Sequence, residues 1–486
     1  MRQKLSLEGA FSRGELDPPF HYLPFDVPAG AQRLEVSYHF ERSGGEGESL
    51  APRSAKDNVV DIGLFDQRGA DFLGGGFRGW SGGARSGFFV AINGATPGYI
   101  RGPLLPGQWQ VILGCPVLAG DRCRYWVDVS IDVEPDTADP EHPPAGQPSA
   151  QPAPEAAQRA SADSNNPSRW YRGDLHTHTV HSDGYNTIGE YVQEASRIGL
   201  DFLAITHHNT CSHFQEIASR DGSEPLLIPG EEVTTAWGHA NVWGIGRWVD
   251  FRCTDEAGMQ RILDSVRDAG GLFSPNHPKV GYPWQFDGVQ GYRIVEAWQG
   301  PWRLANSESL AFWERRLLAG ERVTAVGGSD CHAIPPAVRL HPWTLGDPCT
   351  WVYAPSSLDE RGVLDALRAG HVFVSEDPTG PFLELTAECA GRSYLMGDAI
   401  DAPSGASVRF RLNYRGPAEK KLRLLRNGEL WRETVADKEE TVLEFDLQID
   451  EPGYVRAEVM GFRGRPERGE VVHALTNPIY IRPEDG

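Results

Sequence analysis

Histidines and carboxylates in the middle of the 486-residue chain are the residues best suited to chemistry. His176 and His178 lie two positions apart, and on an extended strand both imidazoles would face the same side. Asp183 follows five positions after His178 in a Ser-Asp-Gly turn. Neutral imidazole and carboxylate together suit ions such as Zn, Mn or Fe. This spacing therefore predicts a metal site rather than a protein nucleophile.

Similar polar groups recur further along the chain, each after a short apolar run. About six histidines and three acids could converge, which is more than one tetrahedral ion accepts, so we expect two or three divalent ions. The third run ends in Glu231 and Glu232, and only one of these acids can join the cluster because strand neighbours point to opposite faces. The later groups are His207 and His208, Glu232 and His239, His277, Glu296, Asp330 and His332.

These groups require elements that bring the ends of several strands together. From Trp170 onward, apolar strand patterns alternate with amphipathic helix patterns, which indicates a parallel α/β sheet or barrel. The carboxyl ends of parallel strands meet at one side of such a fold, where active sites are built. The helix patterns cover residues 187–198, 255–269, 308–318 and 358–369.

The flanking regions have a different character. Residues 1–133 and 379–486 contain short alternating strands separated by Gly and Pro, a pattern typical of β-sandwiches. Residues 134–168 hold eight prolines and no aromatic residue, so they cannot bury enough apolar surface to fold and are interpreted as a linker. We therefore predict an N-terminal β-sandwich, a linker, a catalytic barrel over residues 169–378 and a C-terminal β-sandwich.

The motifs resemble those of a known family. The segments Gly173–Gly184, Thr206–Asn209, Gly230–His239 and Gly328–His332 are similar, in order and spacing, to the motifs of the PHP (polymerase and histidinol phosphatase) domain. The domain order and the C-terminal Thr-Asn-Pro-Ile segment resemble the CehA/McbA branch of metallohydrolases. The resemblance implies a distorted (β/α)7 barrel over residues 171 to 376.

The same resemblance implies a ligand set. His207 departs from the family, which usually has Asp at that position, so it is a ligand, a support for a ligand or a substrate contact. Glu296 is expected near the site as a supporting or substrate-facing acid, and Arg303, with Arg339 and His341, could hold an anionic group. One ion would bind His176, His178, Glu232 and Asp330, a second would share Glu232 and use His239 and His277, and a third would use Asp183, His208 and His332.

Clustered ions lower the pKa of a bridging water, which predicts a hydroxide nucleophile. We expect Glu232 to join two ions, and Asp330 or His332 to carry the proton to the leaving group. Resemblance to CehA/McbA favours an ester or carbamate of a small molecule, and the aromatic-rich surroundings agree. The alternatives are a phosphomonoesterase or phosphodiesterase, and a non-catalytic protein that binds a glycan or partner.

Composition limits the partners. The net charge of −21 argues against nucleic acid, and no apolar run is long enough to cross a membrane. Seven scattered cysteines and the lack of a signal-peptide pattern predict a reducing cytoplasm. A small-molecule substrate is expected, and the oligomeric state is left open.

Overall fold

The structure is a computed structural model that describes residues 1–15, 19–42, 57–134, 167–220, 222, 225–335, 343–464, 467 and 469–484. The predicted linker falls almost entirely outside these residues, as do Arg339 and His341. Within the described part of the chain, no helix is both long and apolar enough to cross a membrane.

The N-terminal region forms two four-stranded antiparallel sheets, ordered β1-β8-β3-β6 and β2-β7-β4-β5. Alternate residues of β3 are buried, among them Leu34 and Val36, as the alternating pattern predicts. Their partners across the core include Ile62 and Val111 of the second sheet. The strands are β1 Arg2–Ser12, β2 Phe20–Val27, β3 Ala31–Phe40, β4 Val59–Phe65, β5 Phe77–Gly82, β6 Gly87–Ala91, β7 Gly107–Val117 and β8 Arg122–Val133.

The middle of the chain alternates strands and helices. The four predicted helices are present within two residues of their expected ends, because apolar side chains at helical spacing have a core to face. The elements are β9 Ser168–Asp174, α1 Ile188–Ile198, β10 Phe202–His208, α2 Phe214–Ala218, β11 Leu226–Thr235, β12 Gly238–Trp243, α3 Glu256–Asp268, β13 Leu272–Pro275, β14 Ile294–Gln299, α4 Asn306–Leu318, β15 Thr324–Gly328, β16 Cys349–Pro355, α5 Glu360–Ala369 and β17 Val372–Ser375.

Helix α1 illustrates how local sequence sets these boundaries. The Thr187 side chain accepts from the Glu190 backbone and the Glu190 carboxylate accepts from the Thr187 backbone, which forms a capping box. Gly199 ends the helix in the left-handed conformation that glycine adopts most easily. Helix α2 was not predicted because it has only five residues and none of them is buried.

The strand arrangement differs from a regular (β/α)7 barrel. The large sheet runs β13-β12-β11-β10-β9-β16-β17 before continuing into C-terminal strands, while β14 and β15 form a separate parallel pair. That pair lies beside β13 and β17, so nine strands surround the centre without a continuous hydrogen-bonded ring. Several neighbours are antiparallel. A hairpin joins β11 with β12, whereas β16 and β17 pair antiparallel although α5 lies between them in the chain.

Some of the C-terminal strands extend the central sheet, and others form a sheet of their own. Strand β26 pairs antiparallel with β17, so the sheet passes through the boundary expected at residue 378. A second, four-stranded sheet is ordered β19-β18-β21-β24. The strands are β18 Phe382–Cys389, β19 Arg392–Leu395, β20 Ala399–Pro403, β21 Ser407–Arg415, β22 Lys421–Arg426, β23 Glu429–Val435, β24 Glu440–Gln448, β25 Gly453–Phe462, β26 Glu470–Thr476 and β27 Ile479–Glu484.

Candidate metal centre

Two chain segments that follow β9 and β15 form the floor of the site. Thr177 and Cys331 make a parallel β-bridge. The amide of His178 donates to the Cys331 carbonyl oxygen at 2.9 Å, and the amide of Asp330 donates to the His176 carbonyl oxygen at 2.8 Å. These bonds place the two early histidines beside an acid that lies about 150 positions later in the sequence.

The first group of converging side chains contains His176, His178, Glu232 and Asp330. The Nε2 atoms of both histidines lie 3.4 Å from Glu232 Oε2. Asp330 Oδ1 lies 3.4 Å from His176 Nε2 and 3.0 Å from His178 Nε2. Asp330 has a positive φ of 54°, a strained conformation for a residue other than glycine that often occurs at functional sites.

The second group shares Glu232 with the first. Its other oxygen, Oε1, lies 3.2 Å from His239 Nδ1 and 3.4 Å from His277 Nε2. Glu232 ends the pairing of β10 with β11, and His239 follows on the antiparallel strand β12. The two carboxylate oxygens of this one buried residue therefore face different sets of histidines.

The third group is the most open to solvent. Asp183 Oδ1 lies 3.6 Å from His208 Nε2 and 3.4 Å from His332 Nε2. The Asp183 side chain is 46 % exposed and that of His208 is 24 % exposed, compared with 1 % for Glu232. This end of the cluster is therefore where a substrate can approach.

The donor atoms fit divalent metal ions. Within the described residues, four groups of three or four side chains place one donor atom each within 4.8 Å of one another. His176 Nε2, His178 Nε2 and Glu232 Oε2 are buried without a hydrogen-bond partner. Buried polar atoms are normally satisfied, so three of them aimed at one point indicate ligands. The four groups contain His176, His178, Asp183, His208, Glu232, His239, His277, Asp330 and His332.

The electrostatic surroundings shift the pKa values of the histidines in opposite directions. Burial lowers the pKa of His178 to about 3, with the neighbouring His332 and His208 adding to the effect. Burial also lowers the pKa of His332, but Asp183 and Asp330 outweigh it and raise the pKa to about 9. Although burial opposes it, the surrounding histidines hold the pKa of Asp183 well below its usual range. The carboxylates are therefore ionised and ready to accept cations.

Supporting residues orient the ligands. Glu296 Oε1 lies 2.8 Å from His176 Nδ1, and its Oε2 accepts a hydrogen bond from the His277 amide at 3.0 Å. The structure thus places Glu296 behind one ligand, as the expectation of a supporting acid requires. Asp174 accepts from the amides of His176 and Ser329 at 3.1 and 3.0 Å, which holds both strand ends.

Gln299 and Lys279 were not singled out from the sequence. The Gln299 Nε2 amide donates to Asp330 Oδ2 at 2.9 Å, and the Lys279 ammonium donates to Gln299 Oε1 at 2.6 Å. Lys279 also donates to Asn306 Oδ1 at 3.1 Å, and burial lowers its pKa to about 8. Only its position two residues after His277 could have drawn attention to Lys279.

His207 lies outside the four converging groups. Its buried ring contacts Thr179 Oγ1 at 3.0 Å through Nε2 and Ser182 Oγ at 3.2 Å through Nδ1. Of the three roles considered for His207, the geometry favours support of the segment that carries Asp183. Arg303 is exposed and donates to the Gly469 carbonyl oxygen at 3.4 Å.

Comparisons with known proteins agree with the motif resemblance. The profile of the PHP domain family matches residues 174–269. The 5′-3′ exoribonuclease Rnm of Salmonella typhimurium is 31 % identical over 136 residues, 27 % of this chain and 43 % of that protein. Its Escherichia coli counterpart is 38 % identical over 81 residues, 16 % of this chain and 28 % of that protein. The chain thus spans less than half the length of these curated relatives.

One solved structure covers more of the chain. A two-domain protein of Bacteroides vulgatus, described as containing a PHP-like metal-dependent phosphoesterase, aligns with 65 % of this chain and 95 % of its own. Its sequence identity is 19 % and its TM-score 0.34. The CehA/McbA branch does not appear among these relatives. Residues 174–269, which match the profile of the PHP domain, hold six of the nine converging residues: His176, His178, Asp183, His208, Glu232 and His239.

Proposed function

We propose that this chain is a metal-dependent phosphoesterase. The observation that carries the proposal is the set of three adjoining ligand groups in which Glu232 faces two of them. Such clusters of ions stabilise both the attacking and the leaving oxygen of a phosphoryl displacement. The same arrangement disfavours the non-catalytic alternative, because a purely binding protein has no need of nine convergent ligands.

The comparisons give the expectation of a carboxyl ester or carbamate no support. The curated relatives are exoribonucleases by name, and ribonucleases cleave phosphodiester bonds. The phosphoesterase alternative therefore becomes the main proposal. Finer membership of the CehA/McbA branch stays a prediction from the sequence.

The roles of individual residues follow from their contacts. Ions bound in the three groups supply Lewis-acid activation of a phosphoryl oxygen and acidify water. Asp330 is held by Gln299 at Oδ2, so its Oδ1 is positioned to accept a proton from a nucleophilic water. His332 lies at the open end with Nε2 toward Asp183, so an ion held by both residues would lie where the phosphoryl group arrives. Glu232 fixes the spacing of the first two groups.

The net charge and the name of the relatives narrow the expected substrate to part of the phosphoester class. The chain's charge of −21 disfavours a long nucleic acid, whereas the name of the relatives favours one. A substrate that is the terminal nucleotide of a chain or a small phosphoester is compatible with both the net charge and the name of the relatives. The bound ions would then need to neutralise only one or two phosphates. The expectation that nucleic acid plays no part is thereby weakened.

A panel of substrates with one leaving group tests the proposal. The purified chain is stripped with a chelator, reloaded separately with Zn, Mn or Fe, and assayed on four p-nitrophenyl compounds. These are the phosphate, the bis-phosphodiester, the acetate and the N-methylcarbamate. We expect turnover of at least one phosphorus compound well above the carbon esters. Turnover restricted to the acetate or carbamate would contradict the proposal and support the expected hydrolysis of an ester or carbamate.

Two variants separate the site from general effects on folding. His176→Ala removes one proposed ligand together with its contact to Glu296, and it should abolish metal-dependent turnover. His371→Ala is the matched control, since His371 also pairs with a carboxylate, that of Asp398 at 3.0 Å, outside the metal centre. The control should retain activity.

A further inference from the structure

A cavity of about 500 Å³ lies between the N-terminal sheets and the open end of the metal centre. Asp183 and His208, two residues of the third ligand group, form one end of it. Phe20 and Trp80 of the N-terminal sheets and Phe251 of the middle region line the other end. This volume is within the range of small-molecule sites.

The N-terminal wall of this cavity is fixed in place. The Phe251 ring packs against Trp80 and Phe20, with ring centres 4.7 and 5.9 Å apart. Beside it, Phe77 stacks on Trp248 at 4.1 Å with the rings nearly parallel. These rings belong to one buried core that both regions share, so the cavity is a built feature of the fold.

Polar contacts across the same junction are buried as well. Asp250 accepts a hydrogen bond from the Leu73 amide at 2.8 Å and pairs with Arg252 at 2.6 Å. Arg252 in turn donates to the Tyr22 hydroxyl and the Ala70 carbonyl oxygen, both at 2.8 Å. Buried charges that are fully bonded resist rearrangement, which keeps the wall in register with the metal centre.

The chemistry of the walls limits what can bind. Four aromatic residues belong to the lining, and no Lys or Arg occurs among the described lining residues. The charged groups that line the cavity are Asp61 and Asp183, both acids. A chain of phosphates would be repelled here, whereas a neutral, flat ring would stack and be desolvated favourably.

We propose that this cavity binds the ring-bearing organic group of the substrate, and that Phe20 and Trp80 make the N-terminal sheets part of the specificity site. The inference rests on the proposed phosphoesterase function. The phosphoryl group lies at Asp183 and His208, and a flat aromatic or nucleobase ring enters the cavity. The substrate is thus a phosphate ester of a single ring system, either free or at the end of an oligonucleotide.

Binding of two phosphonates to the metal-loaded, full-length protein tests this proposal without relying on turnover. Isothermal titration compares 2-naphthylmethylphosphonate with methylphosphonate. We expect Phe20→Ala to weaken the naphthyl compound by roughly three- to tenfold, the range of an aromatic contact, and to leave methylphosphonate unchanged. Ala84 lines the cavity at an exposed position, so the larger side chain of Ala84→Trp would fill part of the cavity. This variant should weaken binding of the naphthyl compound more than Phe20→Ala does.

Phe89→Ala is the matched control, because Phe89 is a half-buried aromatic residue of the N-terminal sheets outside the cavity. Naphthyl binding no tighter than methylphosphonate, or unaffected by both cavity variants, would overturn the inference even if the enzyme is active. The absence of any phosphoester turnover by the metal-loaded wild-type protein would instead refute the proposed function. Parallel assays on a mononucleotide and a 5′-phosphorylated oligoribonucleotide identify the source of the ring.

Discussion

Glu296 Oε1 lies 2.8 Å from His176 Nδ1, and this contact determines which nitrogen of the ring faces the metal centre. A proton on Nδ1 is shared with the carboxylate, so Nε2 keeps its lone pair toward Glu232 and Asp330. The other oxygen of Glu296 holds the amide of His277, a residue of the second group. One acid thereby orients ligands of two adjoining groups.

Glu296→Gln should disturb this arrangement without a change in volume. The amide NH₂ must face either His176 Nδ1 or the His277 amide, and both positions need an acceptor. We expect metal affinity to fall about 10- to 100-fold, measured by competition with a chromophoric chelator. Glu444→Gln, at an exposed acid of β24, is the control and should bind metal as the wild type does. Equal affinities for all three proteins would contradict this role.

The pair of Asp183 and His332 should make the metal-free protein sensitive to pH. The pKa of His332 rises from 6.5 to about 9 in the folded protein. Stability from this raised pKa is therefore fully present below pH 6.5 and is lost as pH rises toward 9. Asp183→Asn should destabilise the metal-free protein at pH 6.5 and have little effect at pH 9.5.

Urea unfolding at both pH values measures that difference. Asp446→Asn is the control, because Asp446 pairs with Arg409, which stays charged throughout this range. A constant effect of Asp183→Asn across the range would show that His332 does not titrate there. Metal binding should also release protons below pH 9, since the ligand form of His332 is neutral.

Gln299→Glu tests the support of Asp330. The new carboxylate would keep its contact with Lys279 but would lie against Asp330 Oδ2, where the amide now donates. Repulsion should displace Asp330 and lower kcat about 10- to 100-fold. Gln290→Glu, at an exposed position, controls for the added charge. An unchanged kcat in Gln299→Glu would show that Gln299 does not position Asp330 for the reaction.

The junction with the N-terminal sheets should contribute strongly to stability. Asp250 and Arg252 form a buried pair, and removal of one partner leaves the other charge uncompensated. Asp250→Ala should reduce the free energy of unfolding by about 3–5 kcal/mol, as breaking buried pairs does. Asp446→Ala breaks an exposed pair and should change the free energy of unfolding little. An equally small loss of unfolding free energy in Asp250→Ala and Asp446→Ala would show that the junction contributes little to stability.

Local patterns in the sequence were sufficient to predict much of the fold. The spacing of Ile188, Tyr191 and Ala195 marks the buried face of α1, and Thr187 caps it, so both signals lie within one helix. The candidate ligands could be identified from the sequence because strand ends carry them in the order of a known motif. The structure brings these nine residues together in four overlapping groups, two of which contain Glu232.

Other features depend on contacts that no local pattern contains. The pairing of Phe373 in β17 with Thr476 in β26 joins strands about a hundred residues apart, and alternation identifies a strand without naming its partner. Gln299 likewise ends the buried strand β14, and nothing in the local sequence distinguishes it from an ordinary polar residue. Only the fold brings Gln299 to Asp330, and only the fold brings Phe20 to the cavity beside the metal centre.

Titration of the metal-free protein with Mn or Zn, followed by phosphoester turnover, tests the central claim most directly. We expect no turnover after chelation, and recovery that saturates at two to three ions per chain by elemental analysis. His176→Ala should show no recovery at any metal concentration. Turnover that persists in the stripped protein, or that recovers equally in His176→Ala, would contradict the claim that these ligands form the catalytic centre.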